Sequence, residues 1–360
     1  MDRGPVCVGD LRRLAADRLE PAIWDFLEGG AEDERTLADN GAAFGRAVLR
    51  PRVLAAATAP TLDVTVFGSR LSLPVFAAPV GLQRLAHPEG ELATCRAVAR
   101  AGSLMVVSHI STVPVEELAQ AGCPLWFQLY PLKDPGETRA LVARAVAAGC
   151  RALVVTVDAP RIGRRERDLR NAFALPAGLL PAHLPTTAGP ILHQGAPGAS
   201  AIAAHARLSF DDAFDWRKLE RLACDASLPL VVKGVLTAED ARLAAAHGAQ
   251  GIIVSNHGGR QLDGVLSSLE ALEEVVDAAG TCTVMLDGGV RRGTDVLKAR
   301  ALGARAVFIG RPLVWGLAVG GAEGVSRVFD MFKAELEHAM VLAGCGRFEG
   351  VGRDAISWRR

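Results

Sequence analysis

The chain carries no excess of charge of either sign: 40 Lys and Arg stand against 40 Asp and Glu. Nucleic-acid binding calls for a basic field, so that class is disfavoured at the outset. There is no Cys-x-x-Cys pair either. The seven cysteines, at 7, 95, 123, 150, 224, 282 and 345, are odd in number and scattered. That pattern suits reduced, partly buried thiols in a cytoplasmic protein, and argues against a disulfide framework or any metal site. No apolar run reaches the roughly 18 residues of a membrane span. Met1-Asp-Arg-Gly-Pro5 lacks the apolar core of a signal peptide. What is present is a chain of 360 residues, half hydrophobic and 22% charged, with ample material for a globular core.

Residues 8–45 read as helical. Asp10 is placed to cap a helix over Leu11–Leu19, and Pro21 suits the first turn of a second, Ala22–Leu27. Gly29-Gly30 ends it, and Glu32–Phe44 resumes the pattern. From residue 74 the rhythm changes. Apolar strand-like runs lie at 74–79, 104–108, 125–130, 152–158, 229–234, 250–255, 282–287 and 305–310. Helical segments separate them, several ending in a glycine that takes the left-handed conformation cheaply, as at Gly102 and Gly248. Thr237 starts one such helix with two acids in its first turn.

Strands alternating with helices are parallel, and continuous apolar character means that both faces are buried. A closed barrel and an open doubly wound sheet both satisfy this. The count of eight, and the usual barrel length of about 250 residues, favour a (β/α)8 TIM barrel. One domain spans 1–360: an N-terminal helical extension (1–73), the barrel (74–345) and a long insert after strand four. That connection, Asp158 to Leu228, runs to roughly 70 residues, far beyond ordinary lengths. Its middle, Leu175–His205, has no clear period, and helical order returns near Trp216–Ala223. Such an insert falls on the catalytic face, so residues 170–215 read as a lid.

Polar groups at the C-terminal strand ends converge on one mouth. In order they are Pro79-Val80-Gly81; Ser108; Gln128 and Tyr130; Thr156 and Asp158; Lys233; Ser255 through Arg260; Asp287-Gly288-Gly289-Val290-Arg291; and Gly310-Arg311. Glycine turns with arginines after strands seven and eight make a phosphate site, from backbone N–H groups and fixed cations. Beside it, Ser108, Gln128, Thr156 and Lys233 can meet the alternating donors and acceptors of a heteroaromatic ring. A flavin mononucleotide has both parts. Lys233 is equally suited to a Schiff base, and absorbance separates the two readings. His257 and Arg260 supply an imidazole for proton transfer and a guanidinium for a carboxylate, although an incidental surface turn has the same composition.

These residues resemble the FMN-dependent 2-hydroxy acid oxidases and dehydrogenases. The similarity runs through Gly30-Ala-Glu-Asp33, Ala86-His-Pro-Glu-Gly90, Phe127-Gln-Leu-Tyr130, Thr156-Val-Asp-Ala-Pro-Arg161 and Val232-Lys-Gly-Val235. It continues in Ser255-Asn-His-Gly-Gly-Arg-Gln-Leu-Asp263, Leu286-Asp-Gly-Gly-Val-Arg-Arg-Gly293 and Phe308-Ile-Gly-Arg-Pro312. The resemblance implies that His257 is the base, oriented by Asp158, that Arg260 and Arg165 bind the substrate carboxylate, and that Tyr130 bonds its hydroxyl. It puts Lys233 near the flavin N1/O2 edge, Ser108, Gln128 and Thr156 on the ring's polar edge, and Pro79–Gly81 near N5. Ser255 joins the cofactor set, and Asp287, Gly289, Arg291, Gly310 and Arg311 serve the phosphate. Arg164 reads as surface charge and His87 as structural.

Two positions depart from the glycolate-oxidising members. The usual tyrosine of the second helix is Phe26, and a bulky tryptophan is replaced around Ile110. Both changes point to a larger or more apolar pocket, and Gly81 resembles the mandelate-type members. In these positions the chain resembles the 4-hydroxymandelate-oxidising members found in antibiotic biosynthesis. The expectation is an aromatic (S)-2-hydroxy acid as substrate, O2 as acceptor giving hydrogen peroxide, and a homotetramer. Another acceptor, decarboxylation of the product, and a flavin-binding regulatory barrel stay open as alternatives.

Overall fold

The eight apolar runs become eight strands in the computed structural model, which describes residues 4–359. They are β1 Val75–Ala77, β2 Met105–Val107, β3 Leu125–Leu129, β4 Leu153–Thr156, β5 Leu230–Val235, β6 Gly251–Val254, β7 Thr283–Leu286 and β8 Val307–Ile309. Each pairs in parallel with its sequence neighbours, and β8 pairs with β1, closing the barrel.

Side chains alternate along the strands with a period of two. Phe76, Val106, Trp126, Val154, Val231, Ile253, Met285 and Phe308 point inward and pack as one cluster. Their neighbours Val75, Met105, Phe127, Val155, Val232, Ile252 and Leu286 join the outer core under the helices. The interior is a packed core, leaving only the strand ends for function.

The extension holds the three expected helices with shifted ends, and after them β structure that the sequence did not suggest. Three helices are present: α1 Val8–Arg18, α2 Pro21–Glu28 and α3 Arg35–Arg46. Asp10 does not begin α1. Cys7 holds that position, and Asp10, a turn further in, accepts from the Val6 and Cys7 N–H groups at 2.8 and 3.2 Å. Glu34 is left-handed, so α3 starts at Arg35 instead of Glu32. A strand, Ala47–Leu49, pairs antiparallel with Ile356–Trp358 near the other end of the chain. A hairpin, Val64–Val66 with Ser69–Leu71, sends Val64, Val66 and Leu71 into the interior cluster. It stoppers the end of the barrel opposite the mouth.

The insert is folded over the mouth. It contains short helices at Glu166–Arg170, Gly189–Leu192 and Ala201–Ser209, then Trp216–Asp225, capped by Asp215. Phe173, Leu175, Leu192 and Ile202 of the insert cluster with Phe26 of α2 and Leu82 and Leu85 after β1. Phe173 stacks on Phe26 with ring centroids 4.3 Å apart and planes at 2°.

Candidate active site

β6 ends at Val254, and the next nine residues divide between chemistry and anchoring. Asn256 exchanges hydrogen bonds with Asn40 of α3 at 2.8 and 2.9 Å. The Gly259 carbonyl accepts from Ala31 at 2.8 Å, and a Cβ on Gly259 would stand 2.5 Å from the Leu37 nitrogen. Only glycine fits there, with φ at 74°. Gln261 donates to the carbonyls of Asp158 and Arg161, both at 2.8 Å. Asp263 accepts from the first N–H groups of α3, at 3.2 Å (Arg35) and 2.7 Å (Thr36). The turn is therefore fastened on two sides before its reactive groups are considered.

His257 is left-handed, φ 59°, a costly conformation for a non-glycine residue. Its backbone N–H donates to Ser255 Oγ at 3.0 Å. Nδ1 lies 2.9 Å from Asp158 Oδ1, and Nε2 lies 3.4 Å from the Tyr130 hydroxyl. Burial, more than any other influence, holds the imidazole below its usual proton affinity; Lys233 and Arg165 add to this and Asp158 opposes it. Burial likewise raises the Tyr130 phenol, which stays protonated. Burial works against the Asp158 carboxylate, but His257 and Lys233 outweigh it and keep it ionised. With the carboxylate on Nδ1–H, the Nε2 lone pair is the basic atom. Tyr130 is the chain's single tyrosine.

Arg165, Arg260 and Arg311 share the same wall of the cavity. Arg260 Nη1 donates to the Gly29 carbonyl at 2.7 Å, and its guanidinium lies 5.4 Å from the Phe26 ring centroid. Arg165 is buried, its Nε has no partner, and Asp168 lies 4.0 Å away. Burial, then Arg165 and Arg311, hold Arg260 well below the ordinary guanidinium value. Cations crowded in this way demand an anion.

Deeper in, Lys233 Nζ donates to Ser255 Oγ at 2.9 Å and pairs with Asp287 at 3.2 Å. Burial opposes its charge, yet Asp287 and Asp158 prevail and raise its proton affinity. Ser108 and the His109 N–H occupy the Gln128 carbonyl oxygen, each at 3.2 Å. Gln128 Nε2, Thr156 Oγ1 and Asp287 Oδ1 are buried with no partner. Orphaned donors and acceptors at the strand ends are what a polar ring edge would satisfy. Gly288 and Gly289 are left-handed after β7, and a helix starts at Arg311 directly after β8. Arg311 donates to the carbonyls of Glu28, Gly258 and Gly29, and Arg291 lies over Trp315 at 4.9 Å. Burial, first, and then Arg311 lower Arg291 to about 10. Fixed cations beside a glycine turn and a helix start suit a phosphate ester.

The cavity's empty space is about 1310 Å³ out to its open mouth. Lining it are Phe26, Pro79, Val80, Gly81, Ser108, Ile110, Tyr130, Arg165, Lys233, His257, Arg260, Asp287, Gly289, Arg291, Gly310 and Arg311. Gln128, Asp158 and Ser255 stand behind these residues as their hydrogen-bond partners. Thr156 opens instead onto an adjoining cavity shared with Tyr130 and Phe210. Arg164 is exposed, as expected.

Gly81 is packed closely against its neighbour: a Cβ there would stand 2.4 Å from Ile110 Cγ1. Ile110 already fills that space. Sequence reasoning missed the residues that complete the wall from the insert: Leu184, Leu192, Ile202, His205 and Phe210. Phe210 stacks on Tyr130 at 4.5 Å. The aperiodic stretch that carries most of them gave no signal of orientation.

Comparison with known proteins agrees with this geometry. The sequence profile of the FMN-dependent dehydrogenases matches residues 15–358. The L-lactate oxidase of Nostoc sp. is 49% identical, over 96% of each chain. The 4-hydroxymandelate oxidase of Amycolatopsis orientalis is 47% identical, again over 96% of each. The crystal structure of a mandelate oxidase with (S)-4-hydroxymandelic acid superposes with a TM-score of 0.94, at 45% identity over 98% of both chains.

Proposed function

The chain belongs to the FMN-dependent dehydrogenase family, and we propose that it oxidises an aromatic (S)-2-hydroxy acid, of the mandelate and 4-hydroxymandelate type, to the 2-oxo acid. For 4-hydroxymandelate the product is 4-hydroxyphenylglyoxylate, and O2 is the acceptor, reduced to hydrogen peroxide. The observation that carries the reading is the line Asp158–His257–Tyr130 facing Arg165 and Arg260.

Arg165 and Arg260 would take the carboxylate, offering parallel N–H donors to its two oxygens. That fixes the α-carbon beside His257, with Tyr130 in reach of the substrate hydroxyl. Nε2 accepts the proton, and Asp158 stabilises the imidazolium that results. Ser108, Gln128, Thr156 and Lys233 would hold the cofactor ring, with Pro79–Gly81 along its face and Ser255 behind Lys233. Asp287, Gly289, Arg291, Gly310 and Arg311 would hold the ribityl phosphate. FMN, when bound, takes up the two electrons. The insert would act as a lid that keeps water from the site.

Support for an aromatic acid comes from the far wall, where Phe26, Ile110, Leu184, Leu192 and Ile202 present an apolar surface to the cavity. Burying a phenyl ring there contributes about 25 cal/mol per Å² of apolar area. The test is anaerobic mixing with lactate, glycolate, mandelate and 4-hydroxymandelate, then admission of oxygen. Bleaching of the flavin should be fastest with the aromatic acids, and reoxidation by O2 should release hydrogen peroxide. Faster bleaching with lactate or glycolate would overturn the substrate, and slow reoxidation would overturn the acceptor.

A further inference from the structure

Within that apolar wall one residue is out of character. His205 lies on the insert helix Ala201–Ser209 and lines the cavity beside Ile202 and Ala206, at the three- and four-residue spacing of one helix face. It is only 6% exposed, and its Nε2 is fully buried without a partner. A buried imidazole nitrogen left unpaired is costly, and native structures keep such atoms rare. An apolar side chain would close the wall at no such cost.

Of the neighbouring histidines, His183 does not share this condition, and His109 shares it only away from the cavity. His183 accepts from the Val115 N–H at 3.0 Å and lies 3.2 Å from the His109 carbonyl. Both of its nitrogens are engaged, and the cavity lining does not include it. His109 accepts from the Tyr130 N–H through Nδ1 and leaves Nε2 buried without a partner, but it sits behind the Tyr130 and Phe210 rings and is not part of the cavity lining. Of the three, His205 alone reaches the cavity.

We infer that His205 reads a hydrogen-bonding group at the far end of the substrate's side chain, so that the preferred acid carries a phenol and not a plain phenyl. The carboxylate and hydroxyl are taken up by Arg165, Arg260, Tyr130 and His257, which leaves the substituent of the α-carbon to meet the insert. Burial keeps the His205 imidazole neutral, with one nitrogen free to accept from a phenolic O–H and the other to donate. A site that spends a buried polar atom on a substrate hydroxyl discriminates against the analogue lacking it.

This inference rests on the aromatic reading above, and its experiment separates the two failures. The ratio of kcat/KM for 4-hydroxymandelate to that for mandelate is measured in the wild type, His205→Leu and His205→Gln, all loaded with FMN. Binding of 4-hydroxyphenylacetate and phenylacetate is followed in parallel by perturbation of the flavin spectrum, which needs no turnover. His205→Leu should lower both the kinetic and the binding ratio about tenfold, the scale of one net hydrogen bond. His205→Gln, which keeps a donor and an acceptor, should recover most of that loss. Ratios unchanged in His205→Leu, or lost equally in both variants, would overturn the role of His205. Failure of the wild type on both aromatic acids would be seen before any substitution, and would overturn the aromatic reading and this inference with it.

Discussion

The two ends of the barrel are built from the same eight strands and obey opposite rules. At the closed end Val64, Val66 and Leu71 of the hairpin seal Phe76, Trp126 and Phe308 into an apolar core. At the open end the lining carries Arg165, Lys233, Arg260, Arg291 and Arg311 against one carboxylate, Asp287. A left-handed histidine and several unpartnered polar atoms lie at the same end. Local preference and global fold agree at the first end and conflict at the second. Proteins tolerate that conflict where a ligand resolves it. Stability therefore resides in one end and chemistry in the other, and substitutions should separate them.

The largest effect is expected at the open end. His257→Ala should slow flavin reduction at least about 10³-fold, within the range that positioned acid–base groups supply. That corresponds to roughly 4 kcal/mol of barrier. Retained FMN and an unchanged unfolding midpoint would show that the loss is chemical. A stopped-flow rate within tenfold of wild type would remove His257 from the role of base. At the closed end Phe76→Ala should cost about 3–5 kcal/mol of stability by denaturant titration. The fraction that remains folded should still reduce its flavin normally; a matching loss of rate would show that the ends are coupled.

Asp158→Asn should cost about 10²-fold in rate by loosening the imidazole. It also carries a signed pH prediction. The carboxylate raises the proton affinity of His257 against burial, so removing it lowers that affinity further. The acid limb of kcat/KM, where the base becomes protonated, should move to lower pH. A limb that stays in place would mean that Asp158 does not control His257. The smallest effect is expected from Phe26→Tyr. It puts a hydroxyl into the apolar wall near Arg260 and should shift relative kcat/KM a few-fold from mandelates towards glycolate, on the scale of one net hydrogen bond. Selectivity moving the other way would take Phe26 out of the specificity wall.

The sequence made the barrel legible because strands buried on both faces read as unbroken apolar runs. The hairpin stopper escaped because Val64-Thr65-Val66 and Ser69-Arg70-Leu71 are three residues each. Their signal was the Phe67-Gly68 turn between two alternating triplets. At the mouth, side chains leaving strand ends could be placed by topology alone. The partners of Arg260 and Arg311 could not, since Arg260 is held by the Gly29 carbonyl and Arg311 by the carbonyls of Glu28, Gly29 and Gly258. A carbonyl carries no sequence identity. Nor could the insert's Phe173, His205 and Phe210 be oriented, because a segment without period gives no face to assign.

A chain with one tyrosine, and that tyrosine 3.4 Å from His257, the proposed base, carries its own reporter. Growth on 3-fluorotyrosine would place a single fluorine nucleus in the molecule, at Tyr130. Its one resonance needs no assignment, and its shift and width would report whether the insert closes and when His257 takes up a proton. The same phenol should ionise only above its ordinary range while buried, because burial raises its pKa. An absorbance step near the ordinary value of about 10 would then mark chains whose mouth has come apart.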